Sequence, residues 1–156
     1  IESDNSEKVF DSSPRTRPVI SNMTLIGPGN TEVDAKHEYA NLWRRGSKMI
    51  LANSIFINMR YGIDIRDKET GDALTDKTSL IKNNIYQSFT AERAVIADGS
   101  IPSFATVDLL KTYLTTNNNT FLDDAAAKNL LVNPYSLTAP NFILKSASVA
   151  ATGASF

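Results

Sequence analysis

Val19-Ile20-Ser21-Asn22-Met23-Thr24-Leu25, Ile50-Leu51-Ala52-Asn53-Ser54-Ile55-Phe56 and Leu80-Ile81-Lys82-Asn83-Asn84-Ile85-Tyr86 are one phrase written three times. Each sets two aliphatic residues before a small or polar one, then an asparagine, then a β-prone run. The asparagines recur about every 30 residues, a period typical of stacked repeats. One such unit cannot bury its own apolar side chains, so each must lie against the next. The phrase therefore predicts an all-β stack of parallel coils.

Around the repeats, further strands are expected at Tyr61–Arg66, where Ile63 and Ile65 alternate with polar neighbours, and at Ala94-Val95-Ile96. Residues 1–18 read as irregular, and Gly27-Pro28-Gly29-Asn30 as a turn. Residues 31–43 read as a long polar connection carrying His37, Tyr39 and Trp43, and Asp67–Thr78 as a charged loop. The pattern changes after Pro102. Val107–Leu114 has helical spacing, Asn117-Asn118-Asn119 breaks it, and Asp123–Leu131 reads as a second short helix ended by Asn133-Pro134. The expected organisation is coils over 1–101 and a C-terminal capping segment with short helices over 102–156, because a solenoid needs an atypical end to cover its core.

With 16 basic and 17 acidic residues among 156, the chain lacks the basic stripe that binding nucleic acid requires. Cysteine is absent, which excludes disulfides and thiolate metal sites. No apolar run approaches the roughly 18 residues of a membrane span, and no signal peptide opens the chain. Because the first residue is Ile1, a processed product or fragment is expected.

A buried asparagine must have its amide satisfied. At one corner of a parallel stack asparagines can bond to each other and to the turn backbone, and they tolerate the left-handed conformation. Asn22, Asn53 and Asn83 are thus expected to form an internal structural ladder, not a sugar site.

Glu2-Ser3-Asp4-Asn5, Arg17-Pro18-Val19-Ile20-Ser21-Asn22-Met23-Thr24-Leu25-Ile26-Gly27-Pro28, Trp43-Arg44-Arg45-Gly46, Asn53-Ser54-Ile55-Phe56 and Gly62-Ile63-Asp64-Ile65 occur in that order. Asn133-Pro134-Tyr135, Ala139-Pro140-Asn141-Phe142 and Thr152-Gly153-Ala154-Ser155-Phe156 follow. This series resembles the C-terminal part of a family of right-handed parallel β-helix proteins secreted or surface-anchored by Bacteroidetes. The resemblance implies an extracellular or outer-membrane location in a Gram-negative bacterium. It also implies that further coils, of the same polypeptide or of a partner, stack on the first one. Ser146-Ala147-Ser148-Val149 departs from the Gly-Ser-Pro that relatives tend to carry there.

Among candidate sites, Glu2, Asp4 and Asn5 offer hard oxygen ligands of the kind calcium prefers, although their spacing is not that of an EF-hand. Tyr39, Trp43, Arg44, Arg45 and Tyr61 supply the aromatic faces and polar groups that a carbohydrate surface needs; Trp43 could equally plug the flank of the stack. Asp64, Asp67, Glu69 and Asp72 form an acidic cluster that could hold the paired carboxylates of a glycosidase, but they are mixed with Arg66 and Lys68 as in a solvated loop. His37 is the only histidine, which excludes a multi-histidine metal site. The leading expectation is a non-catalytic accessory β-helix that binds glycan or mediates adhesion. The alternatives are a polysaccharide lyase or glycosidase, and a structural subunit of an outer-membrane transporter complex.

Overall fold

A computed structural model describes residues 1–29, 38–89, 94–97 and 101–155. The chain enters through a short strand, β1 (Glu2–Ser3), and then makes three successive passes. The first comprises β2 (Val19–Ser21), β3 (Thr24–Ile26) and β4 (Tyr39–Trp43); the second, β5 (Ile50–Ala52), β6 (Ile55–Met59) and β7 (Tyr61–Ile65). The third comprises β8 (Leu80–Lys82), β9 (Ile85–Ser88) and β10 (Val95–Ala97). Corresponding strands of each pass pair in parallel. The first sheet is β1-β4-β7-β10 and the second is β2-β5-β8. The third sheet is β3-β6-β9 extended by β11 (Thr120–Leu122). These stacked parallel sheets have the arrangement of a parallel β-helix.

The third sheet thus continues past residue 101. Two segments read as connections are ordered elements. The stretch 31–43 contains β4, which pairs on both sides; its residues 31–37, with His37, lie outside the described ones. The charged segment Asp67–Thr78 contains helix α1 (Lys68–Thr75), because Asp67 caps it by accepting from Thr70 N–H. Gly71 lets this helix close against Ile101, whose Cγ2 a Cβ there would strike.

Helix α2 (Val107–Thr116) forms as expected, capped by Thr106, and buries Leu110 and Leu114. It takes the place of a fourth strand in the second sheet. Asn22 N–H donates to Ala52 O and Asn53 N–H to Lys82 O; in the same way Asn83 N–H donates to Asn117 O at the end of α2. The second short helix, α3, covers only Asp124–Ala127. An antiparallel pair follows, β12 (Leu131–Asn133) with β13 (Asn141–Leu144). No helix among the described residues is long and apolar enough to cross a membrane.

The repeated phrase builds the core. Phe56, Tyr86 and Phe121 occupy one position on successive strands of the third sheet, with centroids 5.1 and 5.5 Å apart and ring planes 18° from parallel. Such offset stacks add to the burial of the rings. Asn22, Asn53 and Asn83 do turn the corners in the left-handed region, at φ 56°, 53° and 55°, and Asn118 makes a fourth at 59°. The internal ladder, however, runs through the next residue along. Met23 N–H donates to Ser54 Oγ (3.1 Å), Ser54 N–H to Asn84 Oδ1 (3.0 Å) and Asn84 N–H to Asn119 Oδ1 (3.1 Å). Asn84 Nδ2 also reaches Leu51 O (3.1 Å) and Asn119 Oδ1 (2.9 Å), while Asn119 Nδ2 reaches Ile81 O (2.8 Å). Ser54, Asn84 and Asn119 are buried, whereas Asn22 and Asn118 are exposed and Asn53 and Asn83 half-buried.

Candidate functional site

The first sheet carries the densest assembly of aromatic and charged groups. Pairing of β4 with β7 sets Tyr39 opposite Tyr61, with ring centroids 5.1 Å apart and planes tilted by 42°. The Arg66 guanidinium stands 5.7 Å from the Tyr39 centroid and donates to the Tyr39 hydroxyl (3.4 Å). Arg60 stands 5.4 Å from the Tyr61 centroid. Each arginine is oriented by a carboxylate: Arg66 by Asp64 through Nε and Nη2 (3.1 and 2.8 Å), and Arg60 by Glu38 (2.7 Å). Asp64 sits in the middle of β7 and is only 2% exposed. A carboxylate so buried needs a fixed cation, which Arg66 supplies.

The strip continues into a second cluster beyond β4. Asp4 bridges two arginines, accepting from Arg44 Nε and Arg45 Nη1 (both 2.8 Å). Glu2 closes on Arg44 and Glu7 on Arg45. Arg45 and Gly46 turn the corner with φ of 56° and 76°, and Asp67 accepts from the Arg45 N–H.

Protonation along the strip is pinned. The Asp64 hydrogen bond raises the pKa of Arg66, and the Asp4 hydrogen bond raises that of Arg44. Burial, reinforced by the Asp64 charge, raises the Tyr39 hydroxyl. All three move away from neutrality, so none is suited to proton transfer near pH 7.

The residues expected to form sites separate accordingly. Tyr39, Arg44 and Arg45 are each half-buried, while Tyr61, packed against Tyr39, is 9% exposed. Trp43 is 0% exposed and belongs to the core, so it presents no face to a ligand. Glu2 and Asp4 are taken by the arginines. The Asn5 amide holds the local turn instead, donating to Phe10 O and Ser12 O (both 3.0 Å) and accepting from Thr16 N–H (2.9 Å). These three residues therefore do not converge on a point where calcium could sit. Among the described residues no three His, Cys, Asp or Glu side chains gather as a cation site.

The acidic cluster is likewise dispersed over structural duties. Asp64 pairs with Arg66, Asp67 caps α1, and Asp72 pairs with Lys68 one helical turn away (2.5 Å). Glu38, Arg60 and Arg66 are the members of the strip that sequence reasoning did not place. Arg60, Asp64 and Arg66 recur at even positions through β7 and its flanks, but every residue of that strand is buried, so alternation alone did not mark them as a strip with Tyr61.

A family model described as a pectate-lyase-like β-helix domain matches residues 1–129. No curated protein and no solved structure matches the chain.

Proposed function

The chain belongs to the family of pectate-lyase-like β-helix domains, and from that premise we propose that it is a non-catalytic module that binds a neutral polysaccharide along its first sheet. The observation that supports this most is the ion-paired tyrosine strip of β4 and β7. Tyr39 brings a half-buried aromatic ring and its hydroxyl to the strip, and Arg66, Arg60 and Arg44 bring donors already oriented by Asp64, Glu38 and Asp4. Four arginines (44, 45, 60, 66) face five carboxylates (2, 4, 7, 38, 64) in these pairs, so the strip has no surplus positive charge. An acidic polymer would have to displace an existing carboxylate from every arginine it met. Sugar hydroxyls need no such exchange, since they donate to the carboxylates and accept from the arginines of intact pairs.

The enzymatic alternative needs two carboxyl groups facing each other across a bond. Asp64, Asp67 and Asp72 are each committed elsewhere, and the fold alone does not confer an activity. In its finer form the reading is a right-handed β-helix, secreted or held at the surface of a Gram-negative bacterium of the Bacteroidetes type. Further coils, or a subunit of a transporter complex, would add to the strands β1 and β3, each of which ends its sheet.

Affinity electrophoresis through gels cast with neutral or uronic polysaccharides tests the reading. Retardation in a neutral gel that Tyr39→Ala abolishes is expected. Retardation only by uronic polymers, retardation by none, or indifference to Tyr39→Ala would refute it.

A further inference from the structure

The left-handed corners do more than turn the chain. Asn22, Asn53, Asn83 and Asn118 form a row along one edge of the stack, one residue for each coil. Their amides are not consumed by the internal ladder, which uses Ser54, Asn84 and Asn119. Instead two of them, Asn53 and Asn83, meet the segment that follows β13. Ser155 N–H donates to Asn53 Oδ1 (3.0 Å), and Asn83 Nδ2 donates to Ser155 O (3.0 Å). The backbone N–H and C=O of one residue are thus read by two asparagines from adjacent coils. The geometry copies that of a β-ladder, in which one residue exchanges its N–H and C=O with a partner. Coils about 4.8 Å apart bring the two amides within range of a single extended residue.

Recognition here is confined to the backbone. Residues 151–155 are all exposed, so their side chains add little, and Gly153 adopts φ 96° with nothing within 4 Å of a Cβ built there. Beneath the segment lies a pocket of about 270 Å³, floored by Asn53, Asn83 and Asn118 and roofed by Thr152, Gly153 and Ala154. The fit is loose, and two hydrogen bonds hold it.

We propose that this asparagine row is a binding site for extended peptide backbone with small side chains, and that the ligand it holds is the chain's own Thr152–Ser155 strap. The strap is detachable: it leaves without disturbing the core, and the same sequence supplied in trans takes its place. Asn53 and Asn83 then have two duties. Their φ angles serve the fold and their amides serve the strap, and substitution by glycine separates the two because glycine keeps the positive φ.

The test is amide exchange and side-chain NMR on the full-length chain. In the parent protein Ser155 N–H should exchange at least about tenfold more slowly than the amides of Thr152 and Ala154. Asn53→Gly should abolish that protection while leaving the thermal unfolding midpoint near its parent value. Full-length Ser155→Pro,Asn83→Gly has neither the residue-155 N–H that donates to Asn53 nor the amide that donates to the residue-155 carbonyl, so the strap is released and Asn53 is left to bind. The peptide Ala151-Thr152-Gly153-Ala154-Ser155-Phe156 should then shift the Asn53 side-chain amide signals saturably. A ceiling of about 10 mM exceeds the millimolar effective concentration of a tethered segment. Unprotected Ser155 in the parent, protection that survives Asn53→Gly, or no saturable shift in the Ser155→Pro,Asn83→Gly chain would each overturn the proposal.

Discussion

Replacing Asn84 by alanine should be among the costliest single changes available in this chain, although it deletes only a small polar group. Three hydrogen bonds disappear: Ser54 N–H to Oδ1 (3.0 Å), and Nδ2 to Leu51 O (3.1 Å) and Asn119 Oδ1 (2.9 Å). Asn119 Oδ1 keeps the Asn84 backbone N–H (3.1 Å) and Ser54 Oγ keeps Ala52 O (2.8 Å), so those groups stay satisfied. The Ser54 N–H and one bond to Leu51 O are not replaced, in a place that water does not reach. A buried donor left without a partner costs about 1–3 kcal/mol, and an acceptor that loses one of its partners costs less. The sum is about 2–4 kcal/mol, a large part of the roughly 5–15 kcal/mol that holds a domain together. The neighbouring corner gives the internal control. Asn83→Gly keeps φ 55° and removes an amide whose partner among the described residues is the exposed Ser155, so a loss below about 1 kcal/mol is expected. Urea unfolding of both variants, compared at constant m, measures the two losses. If Asn83→Gly proved more damaging than Asn84→Ala, or if Asn84→Ala cost less than about 1 kcal/mol, the ladder would not run where it is placed here.

Tyr86→Phe should leave stability unchanged or raise it by about 1 kcal/mol, because the Tyr86 hydroxyl is buried in the aromatic stack without a hydrogen-bond partner; a clear loss in the same urea assay would disprove this. Burial raises the pKa values of Tyr86 and Tyr113 above 10, so the unfolded chain ionises first as pH rises. Stability should therefore be complete below pH 10 and fall above it, by about 1.4 kcal/mol per pH unit for each such tyrosine. Phenolate absorbance that rose before unfolding would contradict it. Gly71→Val should destabilise by at least about 1–3 kcal/mol through its clash with Ile101, read as a lower melting temperature.

The period of the asparagines was legible because the left-handed corner selects for that residue at every coil. What the period could not tell is which side chain faces inward. A residue with φ near 55° directs the next one toward the core, so the hydrogen-bonded column shifted by one position to Ser54 and Asn84. The fourth rung escaped notice for another reason. Helix α2 stretches the interval from Asn83 to Asn118 to 35 residues, and Asn117-Asn118-Asn119 then reads as a helix stop, which it also is. Strand β4 was hidden because Tyr39-Ala40-Asn41-Leu42-Trp43 does not alternate cleanly and is buried through most of its length. For the same reason Trp43 could be read as a ligand platform when it is core. The charged strip was half visible. Tyr39, Arg44 and Arg45 stand near one another in sequence, but Arg60 and Arg66 join them only through the parallel register of β4 and β7.

Helix α2 has a meaning for assembly as well as for packing. A β-sheet whose last member is a strand offers the same unpaired backbone that accepted that strand, and nothing in the sheet itself counts its members. A helix satisfies its carbonyls and amides internally, so the second sheet cannot be copied onward beyond it. At that sheet the molecule has a polarity of growth: strands can be added beside β2, and none beside α2. Among the described residues one sheet of the stack thereby stops at three strands, through a change of secondary structure and not of charge or size, while its neighbour runs on to β11.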